Sequence, residues 1–193
     1  LTLSTTQINV SCNGGSNGQA TATAGGGTSP YTYLWNDPAP AQSTSTSTGL
    51  TSATWTVTVT DSKGCSITAS VSITQPTAIT IATTQTNILC FGQSTGQATA
   101  TPSGGTSPYT YLWNDPAPAQ STQTVTGLTA ATWSVTVTDN KGCTSVASVT
   151  ITQPAAVLSV TATQVNVSCN GGSNGQATAT AAGGVTTYTY LWN

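Results

Sequence analysis

Apolar and hydroxyl-bearing residues alternate along most of this chain. Trp55-Thr56-Val57-Thr58-Val59-Thr60 and Ile67-Thr68-Ala69-Ser70-Val71-Ser72-Ile73 carry a β-branched, aromatic or small apolar residue at every second position. A period of two belongs to strands with one buried and one wet face. Gln19-Ala20-Thr21-Ala22-Thr23-Ala24 alternates alanine with threonine, and Tyr31-Thr32-Tyr33-Leu34-Trp35 sets three aromatics on one face. Between these runs lie turn formers: Asn13-Gly14-Gly15, Gly25-Gly26-Gly27 with Ser29-Pro30, Asn36-Asp37-Pro38 and Asp61-Ser62-Lys63-Gly64. No stretch has helical spacing. The pattern predicts an all-β module of about seven short strands, an Ig-like antiparallel sandwich. Ala20, Ala22, Tyr33, Trp35, Trp55, Val57, Val59, Ile67, Ala69, Val71 and Ile73 form its expected core. Small alanines opposite large tryptophans let two sheets interlock. Leu34 is expected to face outward or toward a neighbour.

The pattern repeats. Trp35 and Trp113, Trp55 and Trp133, and Cys65 and Cys143 are each 78 residues apart. Gly18 to Thr44 recurs as Gly96 to Thr122 with only Ala24 and Gly25 exchanged for Pro102 and Ser103. Such a period is too long for a solenoid turn and suits a small domain. The expected organisation is tandem modules arranged end to end: 1-76, 77-154, and 155-193 as the N-terminal half of a third. The parent chain is expected to continue beyond it. Gln75-Pro76 and Gln153-Pro154 mark the joints, where proline blocks ladder pairing and favours a short, stiff, extended connection.

Charge narrows the function. Lys63 and Lys141 are the only cations, Asp37, Asp61, Asp115 and Asp139 the only acids, and histidine is absent. Acid–base catalysis lacks groups that titrate near neutrality, so no enzyme is expected. Two lysines cannot grip nucleic acid, and no apolar run is long enough for a membrane helix. Serine and threonine make up about a third of the chain. Rows such as Ser43-Thr44-Ser45-Thr46-Ser47-Thr48 read as solvated strand faces, with O-glycosylation as a second reading.

Cys12 and Cys65 recur 78 residues on as Cys90 and Cys143, and Cys169 repeats Cys12 again. One pair per module, with no histidine to build a zinc site and no base to activate a nucleophile, predicts the disulfides Cys12–Cys65 and Cys90–Cys143. The partner of Cys169 is expected beyond the chain end. A bridge of that span should add roughly 4 kcal/mol in the chain-entropy model and implies an oxidising compartment. The four aspartates read as turn initiators in preference to calcium ligands, since calcium wants six to eight oxygens. Tyr31, Asn36 and Asp37, with Tyr109, Asn114 and Asp115, are the candidate contacts for a glycan. No cofactor or metal is expected.

The ordered series Cys12-Asn13-Gly14-Gly15-Ser16-Asn17-Gly18, Pro30-Tyr31-Thr32-Tyr33-Leu34-Trp35, Gly49-Leu50, Thr56-Val57-Thr58-Val59-Thr60-Asp61, Gly64-Cys65 and Ile73-Thr74-Gln75-Pro76 resembles the SprB-type repeat of very large surface adhesins of gliding bacteria. The resemblance spans every module. It departs at Ala53-Thr54-Trp55, where the family usually has Ala-Gly-Thr-Tyr, at the longer Pro38-Ala39-Pro40-Ala41 loop, and at Phe91-Gly92-Gln93. It implies export by the type IX route and a place at the cell surface, in attachment or motility. The expected function is a stalk or fibre segment that supplies length and stiffness. Its expected partners are neighbouring repeats of the same polypeptide. Self-assembly with other copies into a filament, or binding of surface polysaccharide, are the alternatives.

Overall fold

The computed structural model describes residues 1–37, 41–115 and 119–193. Pro38, Ala39 and Pro40 of the lengthened loop lie outside the described residues. The described chain is all β, without a helix. It divides into two units: Leu1–Thr80 with Pro102–Tyr109 and Thr138–Ser145, and Ile81–Thr101 with Thr110–Val137 and Val146–Asn193.

In the first unit, β1 (Thr2–Ile8), β2 (Gly18–Gly25) and β4 (Thr46–Leu50) form one antiparallel sheet in the order β1-β2-β4. β3 (Thr32–Trp35), β5 (Thr54–Thr60) and β6 (Ser66–Ser72) form the other, in the order β3-β5-β6. Among the described residues the repeat has six strands, where the sequence pattern suggested about seven. Register is fixed by the alternation. Trp55 pairs Val71, Val57 pairs Ala69 and Val59 pairs Ile67, so one face of β5–β6 is wholly apolar. A one-residue slip would turn this set to water and bring the threonines inward.

That face meets Ala20 and Ala22 of β2 in one core, which also takes in Val10, Trp35, Leu50 and Ile73. Val57, Val59 and Ala20 are fully buried. Tyr33, Ile67 and Ala69 pack partly buried against the core. Leu34 is 58% exposed, as its register requires. Both buried indoles are hydrogen-bonded: Trp35 Nε1 donates to the Thr44 carbonyl and Trp55 Nε1 to that of Thr51.

The Ser/Thr run is not all outward. Ser47 lies in β4 and is completely buried. Its hydroxyl is 3.4 Å from Asp37 Oδ2. Strand β4 must turn one face to the core, and Ser47 is on it, opposite Ala20.

The second repeat follows the same plan with β7 (Thr80–Thr86), β8 (Gly96–Ser103) and β10 (Thr124–Leu128) in the order β10-β8-β7. β9 (Thr110–Trp113), β11 (Thr132–Thr138) and β12 (Thr144–Thr150) follow in the order β12-β11-β9. Beyond them, β13 (Ser159–Val165) and β14 (Gln176–Ala182) pair as a two-stranded sheet.

Val125 of the second repeat occupies the place of Ser47 and is likewise fully buried. Gln120 still bonds Asp115 there through its backbone and side-chain nitrogens. The aspartate therefore does not need the serine. Ser47→Val is expected to change the unfolding free energy by less than about 1 kcal/mol, since a modest hydrogen bond is exchanged for apolar volume. Chemical denaturation of wild type and variant checks this.

Candidate functional site

The chemistry of this chain is concentrated where Gln75-Pro76 leaves the first sandwich. Three local structures meet there. The first is the Cys12 turn. Gly15 N donates to the Cys12 carbonyl, Ser11 N to Asn17 Oδ1, and Asn17 Nδ2 to Ser11 Oγ. Gly14 holds φ at 74°, a conformation that a side chain would strain. The second structure is the linker, which this turn grips. Gly14 N donates to Gln75 Oε1 at 2.7 Å and Asn13 Nδ2 to the Pro76 carbonyl at 3.1 Å.

The third is the hairpin from Asp139 to Cys143. Asp139 Oδ1 accepts the N–H groups of Lys141 and Cys143, and Oδ2 accepts that of Thr106. The loop at Thr106 touches the linker in turn: Gly105 N donates to the Thr77 carbonyl at 2.9 Å. Gly104, at φ +75°, lets the Ala78 carbonyl approach so closely that an added Cβ would stand 2.1 Å from it. Turn, linker, loop and hairpin thus form one bonded series. At its end Cys143 meets Cys12 in a disulfide, Cα–Cα 5.6 Å, across 131 residues of sequence. Cys143 Sγ lies 3.4 Å from the Ser11 carbonyl oxygen.

This corrects the pairing expected from spacing. Cys12 is bonded to Cys143, while Cys65, Cys90 and Cys169 are free and exposed. The reason is strand length. Val10 N donates to the Thr74 carbonyl, which puts Cys12 beside the exit of β6. Cys65 stands just before the entry of β6 at Ser66. At about 3.3 Å per residue, β6 holds the two cysteines more than 20 Å apart, and a disulfide needs Cα atoms within about 7 Å. β12 likewise separates Cys143 from Thr152, whose carbonyl accepts from Ile88 N near Cys90. The cysteines of one repeat sit at its two ends. In the chain-entropy model, closing the longer loop adds about 5 kcal/mol.

The candidate glycan contacts each make a hydrogen bond within their own repeat, with Asn36 and Asn114 exposed and Tyr31 and Tyr109 half-buried. Tyr31 Oη donates to the Gly26 carbonyl, and Tyr109 Oη to that of Gly104. Asn36 Oδ1 accepts from Thr56 N, and Asn114 Oδ1 from Ser134 N. Asp37 and Asp115, both nearly buried, accept from Gln42 and Gln120. Among the described residues no three histidine, cysteine or acidic side chains cluster to hold a metal. Nor is any described helix long and apolar enough to cross a membrane. Gln75 stands at the expected joint, whereas Asn13, Gly104 and Asp139 are joint residues that sequence reasoning did not single out for it. Their signal was recurrence: Gln153 Oε1 accepts from Gly92 N as Gln75 does from Gly14, and Gly183 meets the Val157 carbonyl as Gly104 meets that of Ala78.

Residues 4–40, 82–118 and 161–193 each match the family model of the SprB repeat, together more than half of the chain. The chain belongs to the SprB repeat family. It is a repeat region of the kind found in cell-surface adhesin-type proteins, with its SprB repeats in tandem in one polypeptide. Such repeats point to structural, non-catalytic modules. No curated protein matches the chain. Among solved structures, one described as "Structural basis for Dscam isoform specificity" aligns over 77% of this chain and 41% of its own, at 11% identity and a TM-score of 0.32. The chain thus spans less than half of that one. Another, "Structure of amphioxus IgVJ-C2 molecule", aligns over 77% of this chain and 96% of its own, at 14% identity and the same TM-score of 0.32.

The two hairpin aspartates, Asp139 at the joint and Asp61 at the other end of the first SprB repeat, make the fold acid-sensitive. The Thr28 N–H, with those of Cys65 and Lys63, holds the Asp61 carboxyl below the usual aspartate range against the opposing effect of burial. For Asp139 burial pushes upward, and the N–H groups of Cys143, Thr106 and Lys141 outweigh it. A carboxyl depressed on folding contributes stability that is present above its unfolded pKa and lost as pH falls through the folded one. Melting temperature should therefore be flat above about pH 5 and fall below about pH 4. Asp139→Asn should flatten that fall. Thermal melts across pH 2–7 check both.

Proposed function

We propose that this chain is a load-bearing stalk segment of a secreted adhesin, working outside the cell to give length and stiffness for attachment or motility. The Cys12–Cys143 bridge carries the reading. Repeats joined only by a linker extend under load by unfolding, one after another. A sulfur bridge across the joint changes the covalent path. Tension that enters at Leu1 reaches Cys12, crosses to Cys143 and continues toward Asn193, leaving the 131-residue span between them unloaded. A disulfide persists in oxidising surroundings, which fits a working place at the surface. The scarcity of charge, with acid–base groups almost lacking, fits a part whose duty is mechanical. Export by the type IX route and a filamentous parent belong to the same reading.

Stretching single molecules by handles at the two ends tests it. The oxidised chain should reach a full extension about 450 Å shorter than the reduced chain, at about 3.4 Å per hidden residue. Equal extensions in the two states would remove the load-bearing role.

A further inference from the structure

The free cysteines are presented like the bridged ones. Cys65 N donates to Asp61 Oδ1 at 3.0 Å and its carbonyl accepts from Asp61 N. Cys143 N donates to Asp139 Oδ1 at 2.9 Å, and its carbonyl accepts from Asp139 N. Gln93 N donates to the Cys90 carbonyl, Gly172 N to that of Cys169 and Gly15 N to that of Cys12. The gripping contact also recurs, from Gly92 N to Gln153 Oε1. The chain thus carries two kinds of cysteine, hairpin and turn, and its one bridge joins a turn cysteine to the hairpin cysteine of the following repeat.

We propose that Cys65 and Cys90 are bridging sites for other SprB repeats, each bound to a cysteine of the opposite kind: hairpin Cys65 to a turn cysteine, turn Cys90 to a hairpin cysteine. Cys169 follows Cys90. The rule is directional, because the two kinds sit at opposite ends of β6 in one repeat. It produces a ladder of bridges in which every repeat is fastened at both ends. Formation is thiol–disulfide exchange. Two cysteine thiols and one small or protein disulfide of the form R–S–S–R give the Cys–S–S–Cys bond and two R–SH, so both protons and both electrons pass to the R–S groups. Exposure of Cys65 and Cys90 lets their thiolates reach and attack the R–S–S–R sulfur.

This inference goes beyond the mechanical reading: it concerns which sulfurs bond, and a bond map can fail while an extension measurement succeeds. The test is peptide mapping of native protein taken from the cell surface with thiols alkylated at once and without reduction. The Cys65 peptide is expected joined to a turn peptide, and the Cys90 peptide to one containing Lys-Gly-Cys. Electrophoresis without reduction tells the source of the partner: a ladder of masses that collapses on reduction means a second copy, one mass means a repeat of the same polypeptide. In a Cys65→Ser variant, one additional turn cysteine per chain should become alkylated while Cys12–Cys143 persists. Free thiols at Cys65 and Cys90 in the native protein, hairpin joined to hairpin, or a hairpin cysteine released by Cys65→Ser would overturn the proposal.

Discussion

A strand that runs the full length of the module keeps its two cysteines apart, and the rest of the molecule follows from that separation. β6 starts just after Cys65 and ends just before Thr74, whose carbonyl accepts the Val10 N–H close to Cys12. The period-two pattern Ile67, Ala69, Val71, Ile73 needs an uninterrupted strand to bury its apolar face against β2. The core and the bridge are therefore linked choices. A sandwich deep enough to hold Trp35 and Trp55 is too long for its own sulfurs to meet across it. The bridge has to leave the module, and the joint is where it does so.

The joint works because each of its parts constrains another. The Cys12 turn fixes Gln75-Pro76 through Gly14 and Asn13. Proline removes a donor and limits the backbone, and Gly104 lets the Ala78 carbonyl come close. Asp139 ties the hairpin to Thr106, one residue from the contact between Gly105 and Thr77. The neutral bonds are weak alone, at roughly 0.5–1.5 kcal/mol net, and those to the Asp139 carboxylate are about twice as strong. Together they present Cys143 to Cys12, and the covalent bond then holds what they arranged. This is preorganisation applied to a fastening.

Much of this was legible in the residues. Alternation in Trp55–Thr60 and Ile67–Ile73 placed β5 and β6 and their inward faces. The motif series identified the family. Strands β1 and β4 were harder to see. Thr2–Ile8 is mostly polar, and β4 carries serine at the position where its repeat counterpart has valine. Burial of Ser47 is tolerated because Asp37 lies beside it, a tertiary fact no local pattern states. The bridge was misread because spacing reports how many residues separate two cysteines, while bonding depends on where strands carry them. Equal spacing of 12 and 65, and of 90 and 143, is compatible with pairing inside a repeat or between repeats. Strand direction decides, and that becomes visible once Val10 is seen against Thr74. Tyr31, Asn36 and Asp37 were picked out for their chemistry; each makes a hydrogen bond to its own repeat, and of the three Asp37 alone is buried.

The bond between repeats is tested most directly by proteolytic digestion of the oxidised 193-residue chain without reduction, followed by mass spectrometry of the cysteine peptides. The structure requires a peptide pair containing Cys12 and Cys143, with Cys65 alkylatable in the isolated chain. Recovery of Cys12 with Cys65, and of Cys90 with Cys143, would contradict it.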